Sequence, residues 1–287
     1  MTLFNRYMAV DWSATNSPKR GKDSIWVSGC SGTYNIPPFN ITTRSETISV
    51  IKDHITATLE SNERLLIGFD FAFGYPAQTA RTLGGENWAD VWRTIHELVK
   101  DDPKNRSNRF HVADEFNKRI GQAEGPFWGH PHQHSYKNLS PKKPKQDYEL
   151  PKEYRLIEKR AAGAKSVWQL AYNGAVGSQT LLGIAALETL RRDPDVGKHI
   201  AIWPFQTCFA EDLNKSVVFA EIYPSSHEGW KDMPHDIPDA QQVAKVCQDF
   251  KNWDNNGLLA SKMRPENLSE AEERDVLNEE GWIIGRP

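Results

Sequence analysis

Two short apolar runs, each of which ends in an aspartate, constrain the fold of this chain more than any other feature. The first run ends at Asp11 and the second, Arg64–Asp70, is almost continuously apolar, as is typical of a central strand covered on both faces. Because side chains alternate along a strand, Asp11 shares a face with Ala9, and Asp70 shares a face with Gly68. We therefore predict two carboxylates at the carboxyl ends of neighbouring buried strands.

The residues between these runs predict how the sheet begins. Residues 24–29 and 33–41 have the composition of strands, and polar turns flank them, as in an antiparallel meander. Residues 45–60 carry isoleucine and leucine at helical spacing. Three strands, a helix and a buried strand predict an α/β protein with an RNase H-like mixed sheet and flanking helices.

The rest of the chain predicts a core that an insertion interrupts. Residues 77–165 contain two helical patterns, 88–99 and 112–120, and a long Pro-, Gly- and Lys-rich stretch, and are predicted to form a large, mostly helical cap. Residues 1–76 and 166–287 form the predicted core. The later elements of that core are predicted as a helix over 167–192, strands over 199–205 and 217–224, and a helix over 237–250.

Composition and charge exclude several classes of protein. Hydrophobic residues make up 38% of the 287 residues, which is enough for a folded core. No apolar run approaches the roughly 20 residues that cross a bilayer, and no secretory signal opens the sequence. Three widely spaced cysteines favour a reducing compartment, so we expect a cytoplasmic protein without a membrane partner. The oligomeric state stays open.

Charge is uneven along this acidic chain, whose formal net charge is −3. Residues 137–165 contain nine Lys or Arg and four Asp or Glu. Such a segment can hold a nucleic acid or a small phosphorylated substrate, or it can be a solvated loop.

Further acids join the two aspartates in the sequence prediction. Glu221 ends its strand in the same manner, and Asp236 and Asp239 are spaced to share one face at the start of the last helix. An ionised carboxylate at the end of an apolar strand is costly unless a cation pairs with it, and Mg²⁺ or Mn²⁺ takes carboxylate oxygens. We therefore predict a Mg²⁺ or Mn²⁺ site, although each acid taken alone can also be a simple turn or helix cap.

A set of short motifs spans nearly the whole chain and carries a family resemblance. The motifs are Ala-Val-Asp-Trp-Ser (9–13), Gly-Phe-Asp-Phe-Ala-Phe-Gly-Tyr-Pro (68–76), Trp-Pro-Phe (203–205), Ala-Glu-Ile-Tyr-Pro-Ser (220–225), Asp-Ala (239–240) and Glu-Gly-Trp-Ile-Ile-Gly (280–285). They resemble domain-of-unknown-function family 429, whose members are predicted RNase H-like nucleases.

That resemblance implies roles for the acids. Asp11 and Asp70 match first-strand and fourth-strand metal ligands, and the pair Asp236 and Asp239 looks like the C-terminal helix pair of RuvC-type resolvases. Glu221 becomes a further ligand or a residue that orients water. The chain departs from RNase H itself because neither Glu46 nor Glu60 matches the glutamate of that enzyme's first helix.

Five further residues are predicted to contact substrate. The basic residues Arg155, Arg160 and Lys165 precede the long helix and can bind phosphate, although an exposed helical face with an ion pair from Arg155 to Glu158 is the simpler interpretation. The other two are Ser13 and His132, which is one of three alternating histidines at 130–134.

Three functions are compatible with these patterns. The first is a metal-dependent nuclease or phosphodiesterase in which Asp11, Asp70, Glu221 and Asp239 are catalytic. The second is a phosphotransferase of the actin or sugar-kinase type, although neither of its Gly-rich phosphate loops is found. The third is a non-catalytic binding protein for a small phosphorylated ligand.

Overall fold

The computed structural model describes residues 2–121, 125–145, 150–161 and 163–287. Six strands form one mixed sheet in the order β3-β2-β1-β4-β6-β5. The strands are β1 (Arg6–Asp11), β2 (Ile25–Ser31), β3 (Asn35–Ile41), β4 (Leu65–Phe69), β5 (Ile200–Ile202) and β6 (Val217–Glu221). The α-helices are α1 (Arg44–Glu60), α2 (Thr79–Thr82), α3 (Trp88–Leu98), α4 (Arg109–Ile120), α5 (Leu156–Arg160), α6 (Gly177–Arg191), α7 (Pro238–Asn255), α8 (Leu259–Lys262) and α9 (Glu270–Asp275). The predicted mixed α/β class is confirmed.

The sheet has an antiparallel half and a parallel half, and the predicted acids lie in the parallel half. Strand β2 runs antiparallel to β1 and β3, whereas β4 runs parallel to both β1 and β6. The register pairs Val10 with Phe69 and Phe69 with Glu221. Asp11 and Asp70 therefore leave neighbouring parallel strands at the same edge of the sheet.

Two apolar layers cover the sheet, one on each face. Met8, Val10 and Ile67 face a large cluster that includes residues of α1, α3 and α6. Alternate residues, including Ala9 and Leu66, face a second cluster formed largely by α7. The alternation puts Asp11 and Asp70 on the α7 side of the sheet.

Small residues on that side let α7 pack closely. A Cβ at Gly68 would lie 2.5 Å from the Ile222 side chain and 3.2 Å from the ring of Phe250 in α7. Interior packing at this density has no room for an added methyl group without displacement. The glycine two positions before Asp70 thus sets the distance between sheet and helix.

The predicted insertion shares its core with the rest of the molecule. Trp88, Trp92 and Ile95 of α3 belong to the same buried cluster as the sheet residues, and α3 packs against α6. Parts of this insertion, residues 122–124, 146–149 and 162, lie outside the described residues. The described parts of 77–165 extend the hydrophobic core, so a separate cap is too simple a description.

The long helix predicted from residue 167 begins only at Gly177. A Cβ at Gly177 would lie 2.4 Å from the carbonyl oxygen of Val167 and 2.8 Å from that of Gln169. The preceding residues fold back over the helix start as turns, which only a glycine here permits. Within the described ranges, no helix is long and apolar enough to span a membrane.

Candidate active site

Asp11 and Asp70 form the centre of the candidate site. Asp11 is the last residue of β1, Asp70 directly follows β4, and the Asp70 backbone N–H donates to the Val10 carbonyl oxygen at 3.0 Å. Both residues are half-buried, and their oxygens are not sealed from solvent. Neither carboxylate accepts a hydrogen bond or forms an ion pair among the residues that the structure describes.

No cation among the described residues therefore pairs with these two acids. Burial raises the pKa of Asp70 to about 7, and the carboxylates of Glu221 and Asp239 act in the same direction. Burial also raises the pKa of Asp11 well above its usual range, and the Asp70 carboxylate is the neighbouring charge that contributes most. Carboxylates whose ionised forms are disfavoured by burial and by neighbouring acids attract a cation.

Asp239 approaches this pair from α7. Its Oδ2 accepts the backbone N–H of Asp23 at 2.7 Å, which ties the start of α7 to the loop between β1 and β2. Burial raises the pKa of Asp239, whereas Lys22 and Lys19 lower it. Asp239 is thus held near Asp11 and Asp70 with two lysines close by.

Asp236 does not share a helix face with Asp239, so this part of the prediction is wrong. Helix α7 begins at Pro238, and Ile237 is its N-cap. Proline is favoured at the first helical position because it has no N–H to leave unpaired. Asp236 lies before the helix, is exposed, and contributes to none of the pKa shifts of the other acids.

Glu221 and Arg155 form a buried, two-point ion pair. Arg155 donates from Nη2 to Glu221 Oε1 at 2.7 Å and from Nη1 to Oε2 at 2.8 Å, while Phe73 N–H also donates to Oε2 at 3.0 Å. Arg155 further binds Glu158, as the sequence suggested, but this pair is buried instead of exposed. Arg155 is only 1% exposed, and both predicted site residues line the same cavity as Asp70 with their charges already paired.

Two further buried acids accept hydrogen bonds from the backbone, and the sequence analysis missed both. Glu279 accepts the backbone N–H groups of Gln78 and Ala80, and Glu280 accepts those of Ala77 and Leu156. These acids belong to a π-helical turn, Val276–Glu280, near the end of the chain. Their position near the C-terminus gave no sign that they meet residues 77–80.

Two cavities flank the acids. One, of about 350 Å³, is lined by Asp70, Lys165 and Tyr223, and we call it the Asp70 cavity. The other, of about 450 Å³, is lined by Asp11, Ser13, Asp239, Arg109 and Tyr172, and we call it the Asp11 cavity. Both are lined by Ala175 and Gln179, so the two cavities adjoin at these residues.

Of the residues predicted to contact substrate, Arg155 and Lys165 line the Asp70 cavity, and Ser13 lines the Asp11 cavity. Lys165 is exposed, and its ammonium group has no hydrogen-bond partner among the described residues. Its aliphatic stem lies along Gly174, where a Cβ would come within 3.0 Å of it. Ser13 is buried and contacts the Asp23 carbonyl at 3.2 Å, which stabilises the loop around the site.

The other two residues lie apart from the carboxylates. Arg160 is exposed and donates to the carbonyl oxygens of Glu266 and Asn267, so it fixes the C-terminal segment. His132 lines neither cavity; it is exposed, with its ring 6.4 Å from that of Tyr172 at the edge of the Asp11 cavity. Arg109, which does line that cavity, was missed because no motif surrounds it in the sequence.

The carboxylates suit a hard cation whose remaining ligands come from water and from substrate. They do not form a complete metal site by themselves. Among the described residues, no three His, Cys, Asp or Glu side chains come together closely enough to hold a metal ion. Mg²⁺ is typically held by one or two carboxylates together with waters and substrate phosphate, and the unpartnered pair of Asp11 and Asp70 fits that pattern. Comparisons of this chain with family models, with curated proteins and with solved structures found no match.

Proposed function

We propose that this protein is a metal-dependent phosphodiester hydrolase with an RNase H-like fold, as the resemblance to the predicted nuclease family implies. The observation that carries the proposal is the pair Asp11 and Asp70, two half-buried carboxylates without a protein donor among the described residues. They lie at the carboxyl ends of two parallel strands in the mixed sheet, between two cavities. Ligands of open α/β sheets bind at this edge.

The charges around the acids favour a phosphate-bearing substrate. Lys165 lines the Asp70 cavity, Arg109 lines the Asp11 cavity, and neither forms an ion pair within the described part of the chain. Cations on both sides of a carboxylate pair can neutralise a phosphodiester, which the acids alone would repel.

We assign each acid a separate role in metal binding or substrate contact. Asp11 and Asp70 would hold Mg²⁺ or Mn²⁺, with Asp239 as the third acid that faces the bound substrate. When bound, the metal supplies a water of lowered pKa and neutralises charge on the phosphate. The paired Arg155 and Glu221 would form part of the wall of the Asp70 cavity, and Lys165, in the same wall, would orient the phosphate.

Hydrolysis of a small diaryl phosphodiester in Mn²⁺ or Mg²⁺ tests this proposal without requiring a particular nucleic acid. We expect turnover that depends on the metal and falls at least about a hundredfold in Asp11→Asn and in Asp70→Asn, because each removes charge that holds the cation. Asp53→Asn, an exposed aspartate on α1, is the matched control and should keep full activity.

Two results would contradict the proposal. One is calorimetry that detects neither Mg²⁺ nor Mn²⁺ binding at millimolar concentration. The other is metal binding that Asp11→Asn and Asp70→Asn leave unchanged. Phosphate transfer from a nucleotide to an alcohol, in place of hydrolysis, would point to the phosphotransferase alternative.

A further inference from the structure

The Asp11 cavity contains features that the hydrolytic chemistry does not need. Tyr172 lies at its edge with 53% of its surface exposed, which is the largest exposure among the bulky apolar residues of the described chain. Its hydroxyl donates to the His130 carbonyl oxygen at 2.8 Å, so the ring is held in place although it is exposed. An exposed but immobilised aromatic ring is a platform for another flat group.

The backbone at Tyr172 is also unusual. Its φ of 75° lies in the left-handed region, which bulky residues rarely adopt. Such a conformation costs free energy and persists where the surroundings impose it, often at ligand-binding sites. The loop that contains Tyr172 precedes Ala175 and Gln179, the residues that line both cavities.

Arg109 supplies a fixed cation in the same cavity. Its guanidinium donates from Nε to Ser178 Oγ at 3.1 Å, and from Nη1 to Ser107 Oγ at 2.9 Å and Asn16 Oδ1 at 3.1 Å. These neutral acceptors orient the group without neutralising it, and Nη2 donates to none of the described residues. Burial and the nearby Arg44 lower the pKa of Arg109 to about 10, so it remains charged at neutral pH. A guanidinium held in this way is suited to a phosphate oxygen.

We propose that the Asp11 cavity seats one nucleotide of a single-stranded nucleic acid, with Tyr172 stacked on the base and Arg109 bound to a phosphate. This inference rests on the proposed hydrolytic function, because it places the phosphodiester that is cut beside Asp11 and Asp70. The volume of about 450 Å³ is that of a site for one small molecule, and stacked bases of a duplex offer no free face to Tyr172. The adjoining Asp70 cavity, with Lys165, receives the strand on the other side of the acids.

Binding of a fluorescent single-stranded oligonucleotide, followed by anisotropy in EDTA, tests this inference separately from catalysis. We expect Tyr172→Leu to weaken binding about ten- to hundredfold, as loss of one stacked base does, and Tyr172→Trp to retain it. Tyr34→Leu, at a tyrosine 41% exposed in the turn between β2 and β3, is the matched control and should bind normally. Arg109→Gln should weaken binding and also reduce its salt dependence, whereas Arg106→Gln, at an exposed arginine, should not.

Three outcomes would overturn the inference. They are equal binding by Tyr172→Leu and wild type, equal affinity for a mononucleotide and an oligonucleotide, and equal affinity for a blunt duplex and a single strand. If the diaryl phosphodiester is still hydrolysed in an Asp70-dependent manner, any of these outcomes refutes the nucleotide subsite and leaves the hydrolase proposal standing. If the oligonucleotide binds through Tyr172 but no phosphodiester is cut, the hydrolase proposal fails instead.

Discussion

Three buried glutamates and two half-buried aspartates differ in the hydrogen-bond donors that the protein supplies to them. Glu221 accepts hydrogen bonds from Arg155 and from a backbone N–H, and Glu279 and Glu280 each accept two backbone N–H groups. Asp11 and Asp70 accept none from the described residues. The first group is complete within the protein, whereas the second lacks a counter-charge.

The pKa alone does not separate the two groups. Burial raises the pKa of Glu279 to about 7, and it raises that of Asp70 to about 7 as well. A hydrogen-bonded acid and an acid without donors can therefore have similar pKa values. The presence or absence of hydrogen-bond donors among the described residues distinguishes the two groups, and it is the reason that we propose Asp11 and Asp70 as the acids that bind the cation.

The largest expected effect on stability comes from removing the arginine that pairs with the buried glutamates. Arg155→Gln leaves Glu221 and Glu158 as buried charges without a cation, which should lower the free energy of unfolding by about 3–5 kcal/mol. Arg81→Gln, at an exposed arginine of α2 without a side-chain hydrogen bond or ion pair among the described residues, should cost less than about 0.5 kcal/mol. Urea denaturation of both variants measures the difference, and equal losses would show that the buried pair carries no special weight.

A smaller effect is expected from Glu279, and it depends on pH. The pKa of Glu279 is about 7 in the folded protein and about 4.3 in the unfolded chain, so its protonation stabilises the fold below pH 4.3 and that contribution is lost as pH rises through 7. Glu279→Gln cannot titrate. Its stability relative to wild type should therefore rise, by on the order of 1–3 kcal/mol, between pH 4 and pH 8.

Denaturation of wild type and Glu279→Gln at intervals across that pH range checks this. A difference between the two proteins that stays constant with pH would mean that Glu279 titrates normally in the fold. Glu60→Gln, at an exposed glutamate that ends α1, should give such a flat difference and serves as the control.

The sequence predicts features that depend on neighbouring residues within one strand or helix better than it predicts contacts between distant segments. Alternation along β1 and β4 predicted the faces that Asp11 and Asp70 occupy, because strand parity is set by the backbone alone. The order of strands and helix predicted that the two strands are neighbours. The helix over 167–192 was predicted too long, because its first part is displaced by the close approach of Gly177 to Val167.

Contacts between distant segments could not be predicted in the same way. The pair formed by Arg155 and Glu221 joins residues 66 positions apart, and Glu280 reaches Ala77 across 203 positions. A single sequence contains no periodicity that reports such pairings, so a buried acid with a partner and one without look alike. Arg109 was missed for the same reason, since only the fold brings it beside Asp11.

A third prediction tests the aspartates, which have no hydrogen-bond donors among the described residues. Asp70→Asn removes a carboxylate whose ionised form is disfavoured by burial, so it should stabilise the protein in EDTA at pH 8 by on the order of 1–2 kcal/mol. The same change should abolish the stabilisation that millimolar Mn²⁺ gives to wild type. Thermal denaturation with and without Mn²⁺ measures both effects. A destabilised Asp70→Asn would indicate that the carboxylate has a structural partner after all.

The smallest effect separates the two acids that the sequence paired. Asp239 lies near Asp11 and Asp70 and is held by the Asp23 N–H, so Asp239→Asn should weaken Mn²⁺ binding by about tenfold, as loss of an acid at the margin of a metal site does. Asp236→Asn should leave that affinity within about twofold and stability within about 0.5 kcal/mol, because Asp236 is exposed and precedes α7. Calorimetric titration of both variants with Mn²⁺ decides between them. Equal losses would restore the helix pair that the motif implied, and would mean that the residues before Pro238 turn toward the acids when the metal binds.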